Sequence, residues 1–443
     1  MNPSSLSGRS WLVLSESQLL RYVAFFYLYV MQGIPAGFAL TALTNYLTAE
    51  GVNPSSIGSF AAVVGLPWAF QFVWGPVIDR FQQSAMGRRK PWVLGAQCLA
   101  FLASLGILFV PNPIGNVATL AWFFFGHSVF AGIQDASVDA MAISIIPHSE
   151  RGRVNAFMRA GFLIGTGVGA AVFSQILRTN GFQAAALTQS LCLLSLTVLT
   201  FFIRERPQDQ LLPSFGRKSV SIFHPIPAKT ITAGNTYPTD FRWLFIELFR
   251  GLFSRNSLLL FGSAVAAYIS ISLFLRAYNY HLIQKLGWSD TSVSLLTGTY
   301  GMIVATLVAL AGGFVADRIG PKRLLVFVLG LVATYLLTFN SLSEFWTRHD
   351  VAQMGLVSLY FMDPSISVAA MPVLMTLCRK GVEGSQFTTY MAFVNLSDIA
   401  GSYLAGHALN YVQVPTIGLF AGGLALTATL VTLIILRRQG TNV

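Results

Sequence analysis

Twelve apolar runs, each long enough to cross a lipid bilayer, occupy most of this chain and fall into two sets of six. A hydrocarbon core about 30 Å thick takes roughly 20 helical residues to cross. Runs of that size lie at 20–44, 57–78, 92–110, 118–146, 155–177 and 184–203, and again at 257–284, 293–315, 322–341, 351–378, 385–409 and 416–436. Only 10% of the 443 residues are charged, against roughly 25% in soluble domains. Lipid-facing helices need almost no charge, because their backbone polar groups are satisfied internally. The expected fold is all-α and membrane-spanning, with twelve transmembrane helices in two pseudo-symmetric six-helix bundles. The first run is too long for a signal-peptide core and has no A-x-A cleavage site.

The net charge of +11 would suggest nucleic acid on a soluble protein. Here the basic residues stand in short blocks between apolar runs, so no nucleic-acid partner is expected. Arg80, Arg88, Arg89 and Lys90 follow span 2, and Arg151 and Arg153 follow span 4. Arg318 and Lys322 follow span 8, Arg379 and Lys380 span 10, and Arg437 and Arg438 span 12. The alternate loops 45–56, 111–117 and 410–415 hold no Lys or Arg. By the positive-inside rule both termini are cytoplasmic.

Cys98, Cys192 and Cys378 are scattered through apolar runs, which makes a disulfide framework or zinc site an unsuitable reading. No metal or other cofactor is expected. The domain division is 1–203, 204–256 and 257–443. The middle segment, with Pro207, Pro213, Pro225, Pro227 and Pro238, is a cytoplasmic linker. Its stretch 241–253 alternates apolar and charged residues, which fits an interfacial amphipathic helix or an irregular tether.

The two sets of spans repeat each other. Gly75, Asp79 and Arg80, with Gly87 and the bases Arg88, Arg89 and Lys90 behind them, recur as Gly313, Asp317, Arg318, Gly320, Lys322 and Arg323. Both copies close the second span of their half. Asp135 precedes the basic turn at Arg151 much as Asp363 precedes Lys380. Duplicated halves of this kind describe a transporter that rocks around a central site.

Charges within spans cost about 2.5–3.5 kcal/mol each on insertion scales, so they face cavities or partners. Asp135 and Asp139 are four residues apart on span 4 and therefore share a helix face. Arg159 lies at a depth on span 5 that matches Asp139, so an ion pair between them is expected. Asp135 sits nearer the midplane with no base at its depth. It is the better proton carrier, since desolvation penalises the ionised form. Asp363 and Asp398 lie near the middle of spans 10 and 11, and Arg276 in the outer half of span 7. Asp398 is read either as proton-coupling or as the cap of a helix break beside Gly401. Tyr278 and Asn279, next to Arg276, offer a cargo an aromatic face and hydrogen bonds, although interfacial tyrosine is the competing reading. His127, His281 and His407 read first as hydrogen-bonded structural residues. Gly161, Gly165, Gly167 and Gly169 permit close helix packing, and Pro35, Pro67, Pro364 and Pro372 should kink their helices.

The repeated glycine–aspartate–arginine pattern resembles the motif between spans 2 and 3 of the major facilitator superfamily. Its second copy is complete, and its first carries a five-residue insertion between Phe81 and Gly87. Asp79, Arg80, Asp317 and Arg318 are accordingly gating candidates. In the first half, Gly33 and Pro35, then Leu47, Glu50, Gly51 and Val52, then Gly58, Gly65 and Pro67, then Phe72, Trp74 and Pro76 come in order. Trp92, Gln97, Gln134, Asp135, Asp139, Ala140, Glu150, Arg151 and Gly152 follow. Together these resemble the muropeptide permease (AmpG-like) branch, which is similar to acetyl-CoA transporters and siderophore permeases.

The resemblance implies proton-driven import of a medium-sized polar solute across a bacterial inner membrane, and the expected state is a monomer. Cargo contacts are assigned to Gln32, Gln71, Gln134, Arg159, Arg276, Tyr278, Asn279 and Asp363, and proton coupling to Asp135, Asp139 and Asp398. Gln71 replaces a base common in the branch, and Met141, Ala142, Ile143 and Ser144 replace a more polar stretch. A siderophore-like cargo therefore stands beside a muropeptide-like one. An exporter on the same fold and a non-transporting receptor are the alternatives. No nucleophile–base pair, HExxH or phosphate loop supports an enzyme.

Overall fold

The structure is a computed structural model and describes residues 12–81, 84–147, 150–213, 241–379 and 383–438. Twelve long helices lie within a few residues of the twelve apolar runs. The first six are α1 (Gln18–Ala49), α2 (Pro54–Val73), α3 (Lys90–Ile107), α4 (Val117–Ile145), α5 (Arg151–Thr179) and α6 (Phe182–Phe202). The second six are α7 (Arg255–Gln284), α8 (Asp290–Leu296 continuing through Met302–Ile319), α9 (Pro321–Ser341), α10 (His349–Thr376), α11 (Glu383–Ala408) and α12 (Val414–Arg438). Among the described residues, eleven helices are long and apolar enough to cross a membrane. The twelfth, α11, has 26 residues but spends several of them on polar groups, including Asn395, Ser397, Asp398 and Ser402.

Buried side chains gather separately in the two bundles, with a further group in the first around Phe25, Val138 and Met158. Phe38, Phe60, Phe124 and Phe173 fill the first, and Phe274, Tyr278, Leu336 and Trp346 the second. Outward-facing Leu102, Trp122, Phe327 and Phe420 stay exposed, as lipid-facing positions do. Glycine sets the helix spacing. On α5, Gly161 meets the Phe26 backbone of α1 while Gly165 and Gly169 meet Gly33 and Gly37, and a Cβ on Gly165 would lie 2.4 Å from the Val30 carbonyl oxygen.

The bundles meet each other most tightly at the end away from the linker. There α2 crosses α11 at Gly58 and Gly406, where a Cβ on Gly406 would lie 2.4 Å from the Pro54 carbonyl oxygen. Likewise α5 crosses α8 at Gly167 and Gly298, each Cβ falling 2.5 Å from the other's carbonyl oxygen. No side chain fits at either crossing without parting the bundles.

Among the described residues, three spans are interrupted. Helix α1 passes through a π-turn at Phe38–Leu43 just after Pro35. Helix α2 runs regularly to Ala69 with Pro67 inside it, then the Phe70 amide turns back to the Pro67 carbonyl at 3.2 Å and a tight turn follows over Gln71–Val73. Helix α8 has its own π-turn at Thr297–Gly301. Pro364 and Pro372, by contrast, are carried inside an unbroken α10.

At the linker end, distant segments are stitched together. Val13 pairs with Arg204, and the Leu14 amide donates to the Arg204 carbonyl at 2.9 Å. The buried Glu205 carboxylate accepts the backbone N–H groups of Arg88, Arg89 and Lys90 at the start of α3, at 3.2 Å and 2.6 Å for the first two. Gly87 makes this possible: its φ of 115° suits glycine, and a Cβ there would meet the Glu205 carboxylate at 2.9 Å. Burial pushes the Glu205 carboxyl above its ordinary pKa, against the pull of those three amides. Residues 214–240 of the linker, with Pro225, Pro227 and Pro238, lie outside the described residues. Beyond them a linker helix (Phe241–Leu252) forms and rests on the second bundle.

A Gly167→Val substitution should hold α5 and α8 apart. Spin labels at Asn180→Cys and Lys285→Cys, in a background without the three native cysteines, should report longer distances by electron double resonance. An unchanged distribution would show that this crossing does not set the closure.

Candidate functional site

A cavity of about 440 Å³ opens between the bundles, with most of its wall on the second. Arg159 of α5 looks across at Tyr268 of α7, Tyr360 and Asp363 of α10, and Asn395 and Asp398 of α11. Helical spacing puts them there. Tyr268, Ser272 and Arg276 recur every four residues on α7, and Asn395, Asp398 and Ser402 recur at three and four on α11. The Asp398 side chain is 56% exposed, and Asp363 and Arg159 are exposed too, so the intramembrane charges face open space. Ser272 donates to Asp398 at 2.7 Å, and Tyr360 to Thr297 Oγ1 at 3.0 Å. One guanidinium, two carboxylates and two phenols can hold a solute that carries charge of both signs.

A second polar cluster lies inside the first bundle. Gln71 donates to Asp135, and the Tyr29 hydroxyl donates to Asp139. Gln32 is buried on α1 beside this cluster. The tight turn after Pro67 supplies the geometry, because it swings Gln71 out of helical register and onto α4. Gln134, assigned to cargo from sequence, instead is buried and donates to the Leu28 carbonyl at 3.4 Å, joining α4 to α1.

The expected Asp139–Arg159 ion pair is not formed among the described residues. Asp139 shares a pocket with Asn155 and Met158, whereas Arg159 is one residue further on, rotated by about 100° around α5, and faces the central cavity. Depth matched, but helix face did not.

Above the cavity, on the side away from the linker, lies a polar seal. Arg276 donates through Nη1 to the Leu40 carbonyl in the α1 π-turn and through Nε to Ser402 at 3.2 Å, with Nη2 4.0 Å from Asp398. It therefore closes the ceiling between bundles rather than lying open to a solute. Asn279 is buried in a crevice of about 40 Å³ just beyond, beside Thr44, Asn45 and Thr48. Further out, Arg178 pairs with Glu50 at 2.6 Å and with the buried Asp290 at 2.9 Å, its guanidinium 4.8 Å from the Tyr46 ring centre. Asn45 donates to Ser294 at 2.9 Å, and Gln284 donates to the Thr48 carbonyl.

Tyr278 does not line the cavity. It is fully buried, donates to the Ala352 carbonyl at 3.0 Å, and packs on Phe274, Phe339 and Trp346, because its face of α7 points into the bundle core. His281 joins the same aromatic group. His127 lies 3.0 Å from the Ala100 carbonyl and His407 2.9 Å from the Tyr403 carbonyl. Arg318 is exposed at the end of α8. The side chains of Asp79, Arg80 and Asp317 lie outside the described residues.

Sequence reasoning missed Tyr29, Tyr268 and Tyr360, whose rings pass for ordinary apolar residues. It also missed the Glu50, Arg178 and Asp290 group, because each stands at a span end where charges are common. Replacing Arg178 with Met strands Asp290 without its partner, which should cost the sealed form about 1–3 kcal/mol. The Asn180–Lys285 label pair should then show a larger open population, while Arg178→Lys stays closer to the parent. Equal populations in all three would make the pairing incidental.

Comparison with known proteins agrees with this architecture. The D-xylose–proton symporter structure superposes with a TM-score of 0.63 at 15% identity, over 93% of this chain and 96% of that one. A peptide transporter POT structure, in complex with sulfate, gives 0.68 at 12% identity over 96% and 97%. The anhydromuropeptide permease of Escherichia coli K12 is 25% identical over 394 residues, covering 85% of this chain and 72% of the relative. The putative transporter AmpG 4 of Rickettsia felis is 22% identical over 406 residues, covering 88% and 90%. The sequence profile of the Major Facilitator Superfamily matches residues 23–282 and 260–442. With its helices, its paired bundles and its central cavity, this multi-pass membrane transporter of small molecules belongs to the major facilitator superfamily.

Proposed function

We propose that the protein is a proton-coupled importer of a muropeptide-like solute, working by alternating access in a bacterial inner membrane. The observation that carries the reading is the central cavity, where Arg159 faces Asp363 and Asp398. A sugar-linked peptide presents carboxylates and amines together, and both signs find a partner there. The similarity to permeases named for anhydromuropeptides, across 85% of this chain, favours that cargo over a siderophore. Asn395, Tyr268 and Tyr360 complete the cargo contacts, and Arg276 and Asn279 bound the site from above.

In this reading the linker end and both termini are cytoplasmic, and the sealed end faces outward. The linker-end motif residues Asp79, Arg80, Asp317 and Arg318 form the opposing gate. Asp135 is the principal proton carrier, with Asp139 and Asp398 as partners. Gln71 and Tyr29 donate to these carboxyl groups, so proton uptake at this cluster loosens α2 and α1 from α4. The protein acts as a monomer, since each chain encloses its own cavity.

Two measurements test the reading. In proteoliposomes, Asp135→Asn should abolish uphill uptake driven by an imposed proton gradient while leaving counterflow exchange. Uphill uptake at the parental rate would remove Asp135 from the mechanism. In a binding screen of anhydro-muropeptides against ferric siderophores, the former should bind, and Arg159→Gln should weaken binding roughly tenfold or more, as loss of a charge-assisted hydrogen bond does. Binding of siderophores alone would reassign the cargo.

A further inference from the structure

The linker helix has two unlike faces. Glu247 and Gly251, four residues apart, turn toward the second bundle: Glu247 pairs with Arg379 at 3.4 Å, and Gly251 lies so close to Gln386 that a Cβ would approach its side-chain oxygen to 2.5 Å. The helix is thus seated against the loop after α10 and the first turn of α11, at the level where α7 also begins. On the other face, Ile246, Phe249 and Phe253 are spaced three and four apart and stay 42%, 54% and 63% exposed, with the two phenylalanine rings stacked at 5.8 Å. A soluble protein gains nothing from three large apolar side chains aligned in water.

The apolar row does not stop at the end of this helix. Leu258 and Leu259 in the first turns of α7 are exposed as well, so the face runs on into the lipid-facing surface of a span. Arg250 and Arg255 flank the row and are exposed. Residues 204–256 hold eight Lys and Arg against four Asp and Glu. An apolar ridge continuous with the hydrocarbon-facing wall and bordered by bases matches one surface, a leaflet with anionic head groups.

We propose that the linker helix is a membrane anchor. Ile246, Phe249 and Phe253 sink among the upper acyl-chain carbons of the leaflet at the linker end, and Arg250 and Arg255 sit on anionic head groups. Through Glu247–Arg379 and Gly251–Gln386 the anchor fixes the height of the second bundle in the bilayer. This assignment holds for whichever cargo the central cavity carries.

The test uses the full chain without its native cysteines, in nanodiscs, carrying an environment-sensitive fluorophore at Phe249→Cys or, separately, at Phe253→Cys. In discs containing phosphatidylglycerol, emission at both positions should be blue-shifted, and lipids with a nitroxide high on the acyl chain should quench it at least twofold. Quenching should weaken in discs of phosphatidylcholine alone. Water-like emission at both positions overturns the proposal. So does shielded emission without nitroxide quenching, which would put residues 214–240 or a second copy over the face. Equal quenching in the two lipids overturns the role of anionic head groups.

Discussion

A peptide group in hydrocarbon must find its hydrogen-bond partner within the protein, and among the described residues the three helix interruptions all lie where the two bundles meet. At the α1 π-turn, the Leu40 carbonyl is taken by Arg276 of the other bundle. Beside the tight turn in α2, the Trp68 carbonyl accepts from Asn395 of the other bundle at 3.3 Å. At the α8 π-turn, Gly298 lies against the backbone of Gly167, again across the divide. Each of these interruptions falls on the interface between bundles, and two of them receive a hydrogen bond from the opposite side. These contacts are polar or backbone-to-backbone.

The same economy governs the charges. Arg159, Asp363 and Asp398 face the cavity, while Asp135 and Asp139 are held by a glutamine and a tyrosine inside the first bundle. Arg276 stands between the two uses. It bonds to the seal and lies 4.0 Å from a carboxylate of the cavity, so seal and cavity share one guanidinium.

Much of this was legible from residues alone. The spans were plain because apolar runs of that length have one physical use, and Asp135, Asp139, Asp363 and Asp398 stood out because charge in lipid is expensive. Rotation about the helix axis was harder to read. Arg159 shares its depth with Asp139 but not its face, and Tyr278 points into a core although Arg276, two residues away, reaches the interface. Tyr29 was hidden because a tyrosine in an apolar run announces nothing until its hydroxyl has a partner. The π-turns leave no mark in sequence at all, and without them neither the Leu40 acceptor nor the Gly167–Gly298 crossing was foreseeable.

The loop before α3 is finished by an amino acid far downstream. Glu205 takes the amides of Arg88, Arg89 and Lys90, which precede it by 115 to 117 positions. The ribosome makes those amides long before it makes their acceptor. During synthesis that corner therefore stays unclosed until residue 205, just beyond the sixth span, has been made.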